Sequence, residues 1–221
     1  MLGDVNMEMS KAYRSNDKER IFDAVKSSVD FATVNRMVVG KMREWAIAAI
    51  DETIDEENVS QLLVWDMQVA KMSLLIDMEI YSDALRIGQK CEKKFYYLEK
   101  GWDREGRWGK TYNNLGRVYS IKGDYPNALE CLNKCLAIQR KTLEADHPDI
   151  AASYNNLAVV YYSQGDYLDA LEYYEKCLAI HLKVLGSEHP DVAVSYYNLG
   201  SVYKAQGDYP KAIEYHEKCL A

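Results

Sequence analysis

No run of 18 apolar residues occurs in this chain, which excludes an ordinary membrane-spanning helix. No basic block occurs either. Lysine and arginine number 27 against 34 aspartates and glutamates, for a net charge of −7. That balance argues against binding to nucleic-acid phosphates or to an acidic membrane surface. The first twenty residues, MLGDVNMEMSKAYRSNDKER, are too polar for a secretory leader. There is no G-x-S-x-G, no H-E-x-x-H, no phosphate-binding P-loop and no G-x-G-x-x-G, so no nucleophile elbow, zinc-protease helix or nucleotide cradle is present. The five cysteines are an odd count, which with no leader fits a reducing compartment. A cytoplasmic protein without cofactor is the expectation.

Proline is scarce too. All four lie at 126, 148, 190 and 210, whereas all eight methionines precede residue 79 and 14 of 18 tyrosines follow residue 101. The chain therefore has two halves of different character.

The second half repeats itself. Y-N-N-L-G-R-V-Y, S-I-K-G-D-Y and P-N-A-L-E-C-L-N-K-C-L-A begin at Tyr112, and closely similar text begins at Tyr154 and at Tyr196. The offset is 42 residues each time, and a fixed period of this size means stacked units. In the second unit Tyr154, Leu157, Ala158 and Tyr161 share one helical face. After Gly165-Asp166, a second face carries Tyr167, Ala170, Leu171, Tyr174, Cys177 and Leu178. Glycine accepts the turn that ends the first helix, and aspartate can cap the second. Pro126 and Pro210 fall in a first turn, where a missing N–H costs little. Each unit reads as an antiparallel helix pair, A then B.

The pattern Y-x2-L-G-x2-Y, Gly-Asp-Tyr and A-x3-[L/Y/H]-x2-C resembles the tetratricopeptide repeat, with Tyr where Trp is usual. Its 42-residue length, the His-Pro-Asp linkers at 147–149 and 189–191 and the Tyr-Asn-Asn-Leu text are similar to kinesin light chain repeats. The resemblance covers about residues 109–221. It implies an all-α fold: a right-handed superhelix of helix pairs (an α-solenoid) with a divergent helical region before it. We expect a cap over 1–59, a degenerate first repeat and linker over 60–108, and three repeats over 109–150, 151–192 and 193–221. The last repeat stops within helix B, so a fragment, or an end that docks on a partner or on itself, is expected.

In the first half, Phe22, Val25, Val29 and Ala32 form one stripe and Met42, Trp45, Ala46, Ala49 and Ile50 another, with Gly40 a break between them. Leu63, Met67, Ala70 and Leu74 form a third, from about Ser60 to Ile76. Residues 99–109, with Trp102 and Trp108, read as a loop.

Reactive side chains have plainer readings. Cys135, Cys177 and Cys219 recur at the repeat period, where a small buried residue is wanted. Cys131 and Cys135 are one turn apart but lack a second metal-ligand pair. His147 and His189 occupy equivalent linkers, which suggests linker geometry. His181 and His216 have no partner placed by sequence. The tyrosines at 119, 161 and 203 read as core residues stacking from unit to unit. No catalytic or metal site is expected.

The binding surface is expected on the A helices, which line the concave face of such a stack. Their non-core positions are Asn113, Asn114, Arg117, Ser120 and Ile121 in the first repeat. The second offers Asn155, Asn156, Val159, Tyr162 and Ser163, and the third Tyr197, Asn198, Ser201, Lys204 and Ala205. In the family that this text resembles, helix-A asparagines hold a peptide backbone. The resemblance carries that role to Asn114, Asn156 and Asn198 and, less directly, to Asn113 and Asn155. The plain alternative is that these amides bond the neighbouring repeat and set the stacking angle. The expected role is a non-enzymatic scaffold for an extended peptide or partner helix, in its specific form a kinesin-light-chain-like adaptor. A self-assembling repeat whose last unit pairs with another chain is the alternative.

Overall fold

The computed structural model of the chain describes residues 31–54, 60–95 and 102–220. The stripe at Phe22, Val25 and Val29 lies outside them. Nine α-helices and no strand occur among the described residues. Two compact units divide the chain, residues 1–79 and 80–221.

The first unit holds α1 (Phe31–Ile54) and α2 (Gln61–Asp77). Helix α1 runs through Gly40, so the expected break there is absent; one glycine costs a helix only about 1 kcal/mol. Ser60 caps α2 by accepting from the Leu63 N–H. Arg43 donates to the Asp77 carbonyl at 3.2 Å, and Lys71 pairs with Asp51 at 2.5 Å, tying α1 to α2. The buried face of α2 differs from expectation. Val64, Trp65, Val69, Met72, Leu75 and Ile76 are buried, whereas Leu63 and Ala70 are exposed. Apolar residues lie on every side of this helix, so two faces compete in its sequence.

The second unit holds α3 (Tyr81–Phe95), α4 (Trp102–Ile121), α5 (Tyr125–Thr142), α6 (Pro148–Gln164), α7 (Tyr167–Leu185), α8 (Pro190–Gln206) and α9 (Tyr209–Leu220). Successive helices pack in order, and α4 also meets α6, one A helix against the next. The expected loop over 99–109 is corrected from Trp102 on, because α4 begins there. Gly109 is inside the helix and buried, and a Cβ on it would come within 3.7 Å of Ile138. That is an ordinary van der Waals distance, and the position is helix interior, not a turn.

Each hairpin turns as its text requires. Gly165 closes α6 at φ 86°, a left-handed conformation that glycine adopts without strain. Its N–H reaches Tyr162 O at 3.0 Å, and the Asp166 N–H reaches Tyr161 O at 2.9 Å, satisfying the helix's last carbonyls. Asp124 and Asp208 then cap α5 and α9 by accepting from the Asn127 and Lys211 N–H groups; Asp166 makes no such side-chain bond.

The His-Pro-Asp linkers start A helices. His147 Nδ1 accepts from the Asp149 N–H at 3.1 Å, and His189 Nδ1 does the same for Asp191 at 3.1 Å. An accepting Nδ1 places the proton of the neutral ring on Nε2. Each imidazole thus acts as an N-cap, with Pro148 or Pro190 at the first helical position. His147→Ala and His189→Ala are each expected to lower stability by about 1 kcal/mol, and His147→Asn to restore most of it. Urea melts followed by circular dichroism check this.

The core runs through the pairs. Leu132, Leu136, Ile150, Leu157 and Val160 form one buried cluster, and Ala158, Ala170, Tyr174, Leu199 and Val202 the next. The tyrosines do not stack from unit to unit. Tyr161 stacks on Tyr173 with centroids 5.5 Å apart, and Tyr203 on Tyr215 at 5.3 Å, each within its own repeat. Packed helices lie about 8–10 Å apart, farther than ring contact along one residue row allows.

Candidate functional site

Two polar constellations stand out in the second unit. The first lies where helix B of one repeat meets helix A of the next. Ser153 Oγ donates to Gln139 Oε1 at 2.6 Å and lies 3.5 Å from Cys135 Sγ, while Gln139 Nε2 donates to Asp149 O at 3.2 Å. One repeat on, His181 replaces Gln139. Ser195 Oγ donates to Asp191 O at 2.8 Å, so its only proton is spent. His181 Nδ1, 2.9 Å from that oxygen, must therefore be the donor. Cys177 Sγ sits 3.8 Å from the same ring nitrogen.

Serine, histidine and cysteine together suggest nucleophilic chemistry, but the surroundings oppose it. Ser195 and Cys177 are buried, and burial pushes the Cys177 thiol up to about 11. Burial likewise pushes Cys91 and Cys131 up to about 12. A thiol held neutral is a poor nucleophile. The same bracket works with glutamine one repeat earlier, which identifies a repeat-joining contact. The partner of His181 escaped sequence reasoning because it lies 14 residues away, on the next A helix. Among the described residues no group of three or more His, Cys, Asp or Glu is placed to hold a metal ion.

The second constellation is on the A helices. Asn156 Nδ2 donates to Asn113 Oδ1 at 2.8 Å, and Asn198 Nδ2 donates to Asn155 Oδ1 at 3.1 Å. The amides thus form a ladder from α4 to α6 and from α6 to α8. Each rung joins the second asparagine of one repeat to the first of the repeat before. Asn114, although it shares the repeat position of Asn156 and Asn198, is buried at 4% exposure and lies off these rungs.

Beside the first rung is a small hollow of about 170 Å³, lined by Arg117, Ser120, Ile121, Leu132, Asn156 and Val159. It brings together five of the residues expected on the binding surface, Arg117, Ser120, Ile121, Asn156 and Val159. Leu132 was not expected, since it belongs to helix B. Its signal is Gly116: a Cβ there would come 2.6 Å from Leu132 Cγ, so the bare glycine is what lets the leucine approach α4. Val159, Tyr162 and Tyr197 are exposed, as is Lys204, whereas Arg117, Asn155, Asn198 and Ser201 are half-buried. Tyr197 leans on His216 with ring centroids 5.3 Å apart. Ser201 Oγ donates back to Tyr197 O at 2.9 Å, which occupies its only proton.

No helix among the described residues is long and apolar enough to cross a membrane. No curated protein matches the chain in sequence. Solved structures do resemble it. BtubC (BKLC) from P. vanneervenii superposes with a TM-score of 0.71 at 21% identity, covering 98% of this chain and 91% of that one. A Podosopora anserina structure of nearly identical TPR-like repeats gives 0.66 at 23% identity, covering 93% of this chain and 92% of that one. The apo form of RapI gives 0.68 at 19% identity, covering 80% of this chain and 62% of that one. At these identities the likeness concerns the fold. The tetratricopeptide repeat model matches residues 109–183 and 149–221, together more than half the chain. With helix pairs at a 42-residue period, glycine-closed turns and solved structures of the same architecture, this chain belongs to the tetratricopeptide repeat family.

Proposed function

We propose that this chain is a non-enzymatic protein-interaction scaffold that holds an extended peptide along its A helices, in the manner of a cytoplasmic adaptor. The observation that carries the reading is the amide ladder. A side-chain amide offers two donors and an acceptor with two lone pairs. Each rung uses one N–H of one residue and one lone pair of the other. The remaining valences of Asn113, Asn155, Asn156 and Asn198 are fixed in direction by the rungs themselves. Preorganised amides suit a peptide backbone, whose N–H and C=O groups recur whatever its sequence. Exposed Val159, Tyr162 and Tyr197 border the ladder and supply apolar contact. An acidic chain with this surface favours protein over nucleic acid or membrane.

The test is Asn156→Ala with Asn198→Ala. Partners captured by the parent chain are expected to be lost by at least tenfold, with helicity retained. Losing two rungs is also expected to lower stability by about 2 kcal/mol. Reduced stability with partner capture intact would mean that the amides only brace the repeats, and would overturn the proposal.

A second reading, self-association, is favoured by one observation. Tyr209 and Ile213, on α9, are 63% and 59% exposed. Light scattering of the parent chain and of Ile213→Asp separates the two readings. A monomer that still captures peptide supports the first.

A further inference from the structure

The ladder alone would let a peptide slide, because backbone groups repeat at every residue. Something must set the register if binding is specific. The hollow beside the Asn113–Asn156 rung has the chemistry for it. Its volume is about 170 Å³, below the roughly 300–1,000 Å³ of small-molecule and cofactor sites, and suits a single side chain. Ile121, Leu132 and Val159 make three of its six lining residues aliphatic.

Arg117 is the one cation of that lining. No carboxylate lies within ion-pair distance of it among the described residues, whereas Lys134, Lys176 and Lys218 each pair with a glutamate one turn earlier. Its own helix offers none: one turn away stand Asn113, Asn114, Ser120 and Ile121. Across the hollow stand Asn156 and Val159. In later repeats its position is taken by Val159 and Ser201, so this charge occurs once along the array. A half-buried guanidinium beside apolar surface, with five donors in a fixed fork, is suited to a carboxylate from outside the chain.

We propose, building on the peptide reading above, that this hollow is a register-setting subsite for an aliphatic side chain and a carboxylate separated by one residue. The spacing follows from geometry. Arg117 and Ile121 are one turn apart, about 6 Å along the helix. In an extended peptide, residues i and i+2 point to the same side, about 7 Å apart. An aliphatic residue between Ile121 and Val159 therefore places the side chain two positions away over Arg117. The ladder holds the backbone, and the hollow with its arginine selects which residues sit there.

The experiment uses the full chain and fluorescein-labelled Gly/Ser decapeptides carrying Leu-x-Glu, Glu-x-Leu, Leu-x-Lys or Ser-x-Glu, read by anisotropy. Leu-x-Glu or Glu-x-Leu is expected to bind at least tenfold more tightly than either single-change control. Arg117→Glu, at a half-exposed position with helicity checked by circular dichroism, is expected to reverse the preference toward Leu-x-Lys. Val159→Asp is expected to abolish the difference between Leu and Ser. Unchanged selectivity in Arg117→Glu overturns the proposal. Binding that ignores both Leu and Glu, yet is lost in the Asn156→Ala, Asn198→Ala chain, also overturns it and leaves the peptide reading standing. No binding by any probe overturns it too; the peptide reading then stands or falls on partner capture by that double variant.

Discussion

Raising the pH from 9 to 11 is expected to unfold the repeat array, and the thiols to be the main cause. Cys91, Cys131 and Cys177 are 1%, 7% and 1% exposed, and burial in apolar surroundings disfavours the thiolate. Their ordinary value of 9.0 is pushed up to about 12, 12 and 11. Burial raises Cys135 as well, against a partly offsetting bond from Ser153. Below pH 9 every thiol is protonated in both states, and stability is at its full value. Between 9 and 11 the unfolded chain gives up these protons and the folded chain keeps them. The unfolded state then binds fewer protons, so stability falls as pH rises. Three such thiols together remove about 4 kcal/mol per pH unit. A folded domain has only about 5–15 kcal/mol in all, so the loss is comparable with the whole. Circular dichroism against pH, at fixed low urea, should show a midpoint between about 10 and 11. Cys177→Ala separates this cause from general alkaline repulsion. It is expected to be less stable at pH 7, from lost packing, yet to lose stability less steeply above 9. An identical slope would show that Cys177 does not contribute.

The same cysteines show what could be read from sequence and what could not. Recurrence at 135, 177 and 219 pointed to packing, because a catalytic residue is not needed once per repeat; Cys135 and Cys177 are buried, whereas Cys219 in the last helix is only half-buried. The turns within hairpins were equally legible, since Gly165 and Asp124 act through bonds to near neighbours, whereas the His-Pro-Asp segments read as linkers and in fact begin A helices. Contacts between repeats were less so. The text places Asn113 and Asn114 side by side, but the stagger of α4 and α6 decides that Asn156 meets Asn113 while Asn114 turns inward. Stagger depends on packed side-chain volumes, which a periodic pattern does not specify. Where the period is missing, even the face of a helix is ambiguous, as Val64 and Trp65 of α2 show. Gly109 misled for a related reason. A glycine in text is most often a breaker, yet α4 runs straight through this one with ordinary helical backbone.

Leu132→Ala is expected to be the most damaging single substitution near the hollow, and Gly116 decides how damaging. Leu132 is fully buried, so truncation removes transfer free energy and leaves a cavity, about 2–5 kcal/mol together. Gly116→Ala opposes two effects. Alanine favours the helix by about 1 kcal/mol, but its Cβ would lie 2.6 Å from Leu132 Cγ and 2.8 Å from Cδ2. The clash falls on the leucine's branch point and not on a flexible chain end, the Ala128 carbonyl stands 3.3 Å from the same Cβ, and overpacking costs about 1–3 kcal/mol, so the net change is destabilising. Gly200→Ala makes a clean contrast. The atoms in its way belong to the His216 ring, the nearest at 2.8 Å, and that ring is half-exposed and can swing outward. The helix preference should then prevail, leaving Gly200→Ala neutral or mildly stabilising. The second repeat already holds the compatible pair, Ala158 beside the flat ring of Tyr174. In the double variant Gly116→Ala, Leu132→Ala, the new methyl enters the space the leucine vacates. The two losses should fall short of their sum by about 2 kcal/mol, a coupling that only residues in direct contact produce. Urea melts of the four chains measure it. Strict additivity would mean that α4 and α5 relax apart, and that the close approach forming the base of the hollow does not hold in solution.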